Sequence, residues 1–286
     1  MGGWGSRRAL RGLLGGILLG PGLLSTGACE RRPETIAVGR ILIDAPPKFD
    51  GAAEDRDTLR RGIRAALENA PSVDLPENGR GTHILRVRLT DPTGTEALTP
   101  SVVVELTPTG SALNFVAVAE ATVGSGLAGM VGPSFRLAWA RIDAMRQLEV
   151  GDEDDLLRGS RDRDPQIQKY AIRLLGQRKV TEAVDPLCAL IQDKDADPGA
   201  VLAAVGALAS IGDERAVKPM TELTFRREPA FVLQIVFAVA AIGGRSADGF
   251  LVTLASGHPN PAVQKGAQDA LEEMRRREAA PAPGSP

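Results

Sequence analysis

The stretch TEAVDPLCAL, residues 181–190, returns as ERAVKPMTEL at 214–223 and more weakly as RSADGFLVTL at 245–254. Aligned, the first copy carries Ala183-Val184-x-Pro186-Leu187-x-x-Leu190 and the second Ala216-Val217-x-Pro219-Met220-x-x-Leu223. The third keeps Ala247, Leu251 and Leu254, with Gly249-Phe250 in place of x-Pro. The shared alanines lie 33 and then 31 residues apart. A period in this range marks a stacked repeat, whose units cannot bury their apolar faces alone.

A second signal alternates with the first. Asp164-Pro165, Asp197-Pro198, Glu228-Pro229 and Asn260-Pro261 each open an apolar run. An Asp or Asn side chain accepts from the free N–H groups of a first helical turn. Proline fits the position after it, where an N–H has no partner to lose. Glu228 is a weaker cap. The runs end at Gly176, Gly212 and Gly243, read as helix stops. Each unit is then two helices, an A helix such as DPQIQKYAIRLLG and a B helix such as TEAVDPLCALIQ, with Pro186 in the tolerant first turn of B. The A runs AVLAAVGALASIG and AFVLQIVFAVAAIGG are apolar nearly all round, as expected inside a stack. GDEDDLLRGSRDR (151–163) reads as a half-unit closing the front, its acids Asp152–Asp155 complementing a helix dipole. The amphipathic AVQKGAQDALEEMRRRE (262–278) closes the rear.

These residues, D-P-x-[IV]…A-x-x-x-LG followed by A-V-x-P-L-x-x-L, resemble HEAT-like repeats of the short bacterial type, which also occur in phycobilisome lyases. The resemblance implies an all-α superhelical solenoid over 151–278 whose B helices line a concave surface for a protein partner. The outward B positions are Asp185, Gln192, Lys218, Glu222, Arg226 and Asp248. Their charge is mixed, without the aromatic and basic stripe of a nucleic-acid site.

Residues 35–150 read differently. TIAVGRILID (35–44) is strand-like, and EDRDTLRRGIRAALENA (54–70) places Leu59, Ile63, Ala66 and Leu67 at helical spacing. HILRVRLTDP (83–92) alternates, and SVVVELTPTG (101–110) and NFVAVAEATV (114–123) supply two more strands. SFRLAWARIDAMRQL (134–148) is a helix with Leu137, Ile142 and Met145 expected inside and Arg136, Arg141 and Arg146 outside. The expected fold is a small α+β domain, β-α-β-β-β-α, with helices on one face of a largely antiparallel sheet. Its order is similar to that of small periplasmic domains of outer-membrane assembly lipoproteins.

The first thirty residues read as an address. Arg7, Arg8 and Arg11 precede an apolar run from Leu13 to Leu24, too short to span a bilayer comfortably. Ser25-Thr26-Gly27-Ala28-Cys29 resembles a lipobox, which implies cleavage before Cys29 and its acylation; Thr26 stands where Leu is usual. Ser6-Arg7-Arg8-Ala9-Leu10 partly resembles a twin-arginine signal, though two arginines equally supply the leader's charge. The expected organisation is a signal peptide over 1–28, a tether over 29–34, the α+β domain over 35–150, the repeats over 151–278 and a tail over 279–286. Glu30 is not the Asp that retains some lipoproteins at the inner membrane, which leans the expectation to the outer membrane, facing the periplasm.

Composition and chemistry narrow the function. Apolar residues make up 43% of the chain but aromatics only 3%, so the core must be aliphatic. The net charge of −2 gives no long-range pull toward nucleic acid. Gly124-Ser-Gly126-Leu-Ala-Gly129 spells G-x-G-x-x-G, but Met130-Val-Gly-Pro133 is expected to separate the glycines from the next helix, and no strand follows to complete a dinucleotide site. The apolar stretch 112–132 is interrupted by Asn114, Glu120 and glycines, against a membrane span. His83 and His258 lack metal-ligand spacing. Cys188 reads as a small hydrophobe on a helix. No catalytic, cofactor or metal site is expected. The chain reads as a non-enzymatic, lipid-anchored envelope protein that holds a protein partner as a scaffold or assembly factor. The alternative is a lyase-like or cofactor-binding enzyme using the repeats to hold a protein substrate.

Overall fold

A computed structural model describes residues 34–46, 53–71, 73–90, 100–110, 114–122, 126–225 and 228–279. The leader, Cys29, the first two glycine-loop positions Gly124 and Ser125, Arg226 and the tail beyond Ala279 lie outside these residues.

The first half is a sheet under two helices. Strand β1 (Ile36–Asp44) leads to helix α1 (Ala53–Glu68), then β2 (Val73–Asp74), β3 (His83–Thr90), β4 (Ser101–Pro108), β5 (Phe115–Glu120) and helix α2 (Gly126–Val150). The sheet order is β2-β1-β3-β4-β5. β1 runs parallel to β2 and β3, while β3, β4 and β5 form an antiparallel meander with Val87 opposite Val104 and Val104 opposite Ala117. The two-residue β2 is absent from the sequence expectation, because so short a strand carries no alternation to read. Period-2 alternation sends Leu85, Val87, Leu89, Val102, Val104 and Leu106 to one face, where Leu59, Ile63 and Leu67 of α1 and Phe135, Ala138 and Ile142 of α2 cover them.

Helix α2 departs from expectation in two ways. It begins at Gly126 rather than after Pro133, and its buried face runs Leu127, Val131, Phe135, Ala138, Ile142, Met145. Pro133 is tolerated inside because the carbonyl it leaves without a donor, that of Gly129, accepts the Thr122 hydroxyl at 3.0 Å. The inward and outward assignments also change. Leu137 is half exposed, at 50%, whereas Arg146 is 4% exposed. Arg146 is held inside by the Glu34 carbonyl at 2.7 Å and Asp143 at 3.3 Å.

The second half is a run of helices: α3 (Glu153–Gly159), α4 (Pro165–Gln177), α5 (Val184–Gln192), α6 (Pro198–Ile211), α7 (Val217–Glu222), α8 (Pro229–Ile242), α9 (Gly244–Gly257) and α10 (Pro261–Ala279). Helices α4, α6, α8 and α10 pack in succession, and α5, α7 and α9 pair with them. Caps explain the starts: Asp164 accepts from Gln166 and Ile167 N–H, Asp197 from Ala200, and Asn260 from Ala262 and Val263. Glu228 makes no side-chain cap. Asp152 and Asp155 form a reciprocal capping box on α3. At the other ends, Gly212 and Gly243 stop their helices with φ of +79° each.

Gly176 is not a stop. It lies buried within α4, and a Cβ there would sit 2.7 Å from the Cα of Ala207 on α6. The glycine sets the close approach of two helices, and Lys179, at φ +54°, makes the turn instead. One apolar core runs through Leu175, Leu187, Leu208, Met220, Val239 and Leu251. Sheet and helical run belong to one compact unit, Arg31–Pro286. None of the described helices is long and apolar enough to cross a membrane.

Candidate partner-binding surface

The B helices begin alike. Each of the first two opens with a 3₁₀ turn, Thr181–Ala183 and Glu214–Ala216, and passes directly into α5 or α7. The alanine-valine pair faces inward, Ala183 and Val184 at 0% exposure and Ala216 and Val217 at 0% and 2%. Helical geometry then sends the next residue out, so Asp185 and Lys218 are exposed, as are Gln192 and Glu222 further along.

These outward residues interlock. Asp185 pairs with Arg215 of the following unit at 3.1 Å, and Arg215 is also held by Asp213 at 2.9 Å. Gln192 donates to Glu222 across the same step at 3.0 Å. Asp248, only half exposed, binds Arg275 of α10 at 2.7 Å. Five of the six expected surface positions are therefore described. Asp185, Gln192, Lys218 and Glu222 lie exposed on successive B helices, while Asp248 is engaged by the last helix. Arg215 was not expected from sequence, although it sits one unit after Glu182 in the repeat alignment. The Asp213 carboxylate hydrogen-bonds Arg215 and raises the guanidinium above its ordinary value, so this cation stays charged.

Cys188 is half buried among the B helices. Burial, and then the Asp185 charge, push its thiol up, which keeps it protonated and poorly nucleophilic. His258 ends α9 and accepts the Asn260 N–H at 3.1 Å on Nδ1. His83 lies at the start of the central strand β3, not at a sheet edge. Among the described residues no three His, Cys, Asp or Glu side chains gather as a metal cluster.

The dinucleotide motif is occupied from within. The Asp55 carboxylate of α1 accepts the N–H groups of Leu127 and Ala128 at the α2 N-terminus. A Cβ on Gly126, whose φ is +72°, would meet that carboxylate at 2.8 Å. The place where a pyrophosphate would sit holds a protein carboxylate.

The helical run is joined to the sheet by polar contacts at α4. The Gln166 side-chain amide bonds the β5 backbone at Val118, and Arg141 of α2 reaches both Asp164 at 2.6 Å and the Val118 carbonyl. Arg178 donates to the carbonyls of Leu148, Glu149 and Gly151, capping the end of α2. The Tyr170 hydroxyl donates to Glu149, its ring stands 6.3 Å from that of Phe115, and Arg173 lies over it at 5.8 Å. Burial, and then Glu149, push the Tyr170 hydroxyl well above its ordinary value. These contacts hold α4 and the turn after it against α2 and β5.

No curated protein matches the chain. Residues 153–235, from the capped helix α3 into α8, match the family model of HEAT repeats, so this part of the chain carries HEAT-like repeats.

Proposed function

We propose that the protein is a lipid-anchored envelope scaffold that holds a protein partner on the exposed B-helix face of its HEAT-like repeats. The observation that carries the reading is the row of exposed, mixed-charge side chains, Asp185, Gln192, Lys218 and Glu222, presented on consecutive units whose spacing is locked by Asp185–Arg215 and Gln192–Glu222. In this reading the segment ending at Cys29 directs export, Cys29 receives the lipid, and the chain faces the periplasm from the outer membrane.

Crosslinked affinity capture from host membranes tests the reading, comparing the native chain with a Lys218→Glu, Glu222→Lys variant. Loss of one specific partner from a variant with an unchanged melting curve supports it. The same partner set in both removes the B face from the function. Cys29→Ser tests the anchor separately: the protein should move from the membrane to the soluble fraction.

A further inference from the structure

Strand β1 bulges between Val38 and Arg40, and the loop before β3 lies directly against the bulge. Only glycine fits on either side of that approach. A Cβ on Gly39 would sit 2.7 Å from the Gly79 carbonyl oxygen, and one on Gly81 would sit 2.6 Å from the Gly39 Cα. Gly79 adopts φ +66°, and Asn78 pins the next N–H, that of Arg80, at 2.9 Å. The Thr109 N–H donates to the Thr82 carbonyl at 2.7 Å, tying the loop to the end of β4.

Beside this crossing opens a pocket of about 470 Å³, within the range of small-ligand sites. The polar residues lining it are Arg40, Arg80, Thr82, His83 and Thr109, and no carboxylate is among its described lining residues. The same domain pairs its other strand arginines, Arg86 with Asp44 at 3.6 Å and Arg88 with Glu105 at 3.5 Å. Among the described residues no carboxylate pairs with Arg40 or Arg80. One ring nitrogen of His83 meets the Thr82 hydroxyl at 2.9 Å. Strand alternation sets His83 on the helix-covered face with Leu85, where burial, and then Arg146, hold the imidazole below its ordinary value. Two arginines with the Thr82 and Thr109 hydroxyls beside the same pocket offer more donors than the two oxygens of a carboxylate use. They suit the terminal oxygens and the higher charge of a phosphate.

We propose that this pocket binds a phosphate group, carried by a small soluble phosphoester or by a lipid headgroup. The site belongs to the sheet domain and stands independently of the partner-binding reading of the repeats.

The test uses the chain from residue 29 with Cys29→Ser, which retains the whole unit Arg31–Pro286. Inorganic phosphate is titrated while the amide resonances of Gly79–His83 are followed. Saturable shifts are expected, weakened about tenfold or more in Arg40→Gln, Arg80→Gln and unchanged in Arg86→Gln. Absence of saturable shifts, equal binding by the double variant, or equal weakening by Arg86→Gln would overturn the site. Where phosphate binds, sedimentation with phosphatidylglycerol vesicles, compared with phosphatidylcholine alone, separates the sources. Vesicle binding lost in the double variant supports the headgroup, and phosphate binding without vesicle binding supports the soluble ester.

Discussion

The side-chain amide of Gln166 pairs with the backbone of Val118 as a neighbouring strand would, accepting its N–H at 2.9 Å and donating to its carbonyl at 2.7 Å. β5 is the last strand of the sheet, and an unpaired edge invites association with other chains. Helix α4 therefore caps the edge of the sheet at Val118. Just along β5, the outward carbonyl of Glu120 is also taken, by the Ser134 hydroxyl at 2.6 Å.

Replacing Gln166 with Ala leaves the Val118 N–H without its partner, while Arg141 still donates to the Val118 carbonyl. The expected cost is about 0.5–1.5 kcal/mol of stability, read as a lower unfolding midpoint. Hydrogen exchange at the Val118 amide should rise more than at buried amides of β4. Unchanged exchange there would show that the pair does not protect the edge.

The Arg141–Asp164 pair makes stability depend on acid. Burial alone pushes the Asp164 carboxyl up, but the Arg141 guanidinium and the N–H groups of Gln166 and Ile167 outweigh it and hold the group below its ordinary 3.8. A carboxyl depressed in the fold stabilises it above the unfolded value, and that contribution disappears as pH falls through the lower folded value. Asp164→Asn keeps a cap oxygen but loses the charge. Wild type should exceed this variant by about 1–3 kcal/mol near neutral pH, with the gap closing below pH 3.8. A gap constant from pH 7 to acid unfolding would contradict the assignment.

What the sequence made legible follows from how local each signal is. Helix starts at Asp164, Asp197 and Asn260 were readable because a cap and a proline act within one turn. The inward Ala-Val pairs were readable from the period. The exposed B positions followed from that pair by helical geometry, but their partners did not. Asp185 with Arg215 and Gln192 with Glu222 join residues 30 apart, a separation fixed by packing. The start of α2 was missed because three glycines and Pro133 argue locally against a helix. Packing of Leu127 and Val131 on the sheet, with Thr122 and Asp55 serving the exposed backbone groups, overrides that local preference. Arg146 was placed outside by its charge, whereas the Glu34 carbonyl lies 112 residues away in sequence and supplies the buried partner. The phosphate pocket left no sequence signal, since Gly39 and Gly81 meet only when β1 and β3 pair.

Arg178 should carry more of the junction than any surface ion pair. It donates to three carbonyls at the end of α2, at 3.3 Å to Leu148, 2.6 Å to Glu149 and 2.6 Å to Gly151. Arg178→Ala is expected to cost about 2–3 kcal/mol, whereas Lys265→Ala, removing an exposed i,i+4 pair with Asp269, should cost about 0.5 kcal/mol or less. Denaturant unfolding of the two variants compares them directly. Equal costs would mean that the α2 end is adequately solvated without its arginine.

Two glycines of the same stack should respond to alanine with opposite sign. Gly176 faces the Ala207 backbone of α6, and its added Cβ would stand 2.7 Å from Cα and 3.0 Å from the Ala207 Cβ. Backbone cannot swing aside as a long side chain can, so α4 and α6 must separate. Gly176→Ala is therefore expected to destabilise by about 1–3 kcal/mol. Gly206 lies on the exposed face of α6, with nothing within 4 Å of its added Cβ. There alanine removes only the backbone entropy cost of glycine in a helix, and Gly206→Ala should stabilise by about 0.5–1 kcal/mol. Thermal unfolding of both variants distinguishes packing from propensity. A stabilised Gly176→Ala would mean that the α4–α6 crossing is looser than a glycine contact, and the close stacking of the first two units would have to come from the apolar side chains alone.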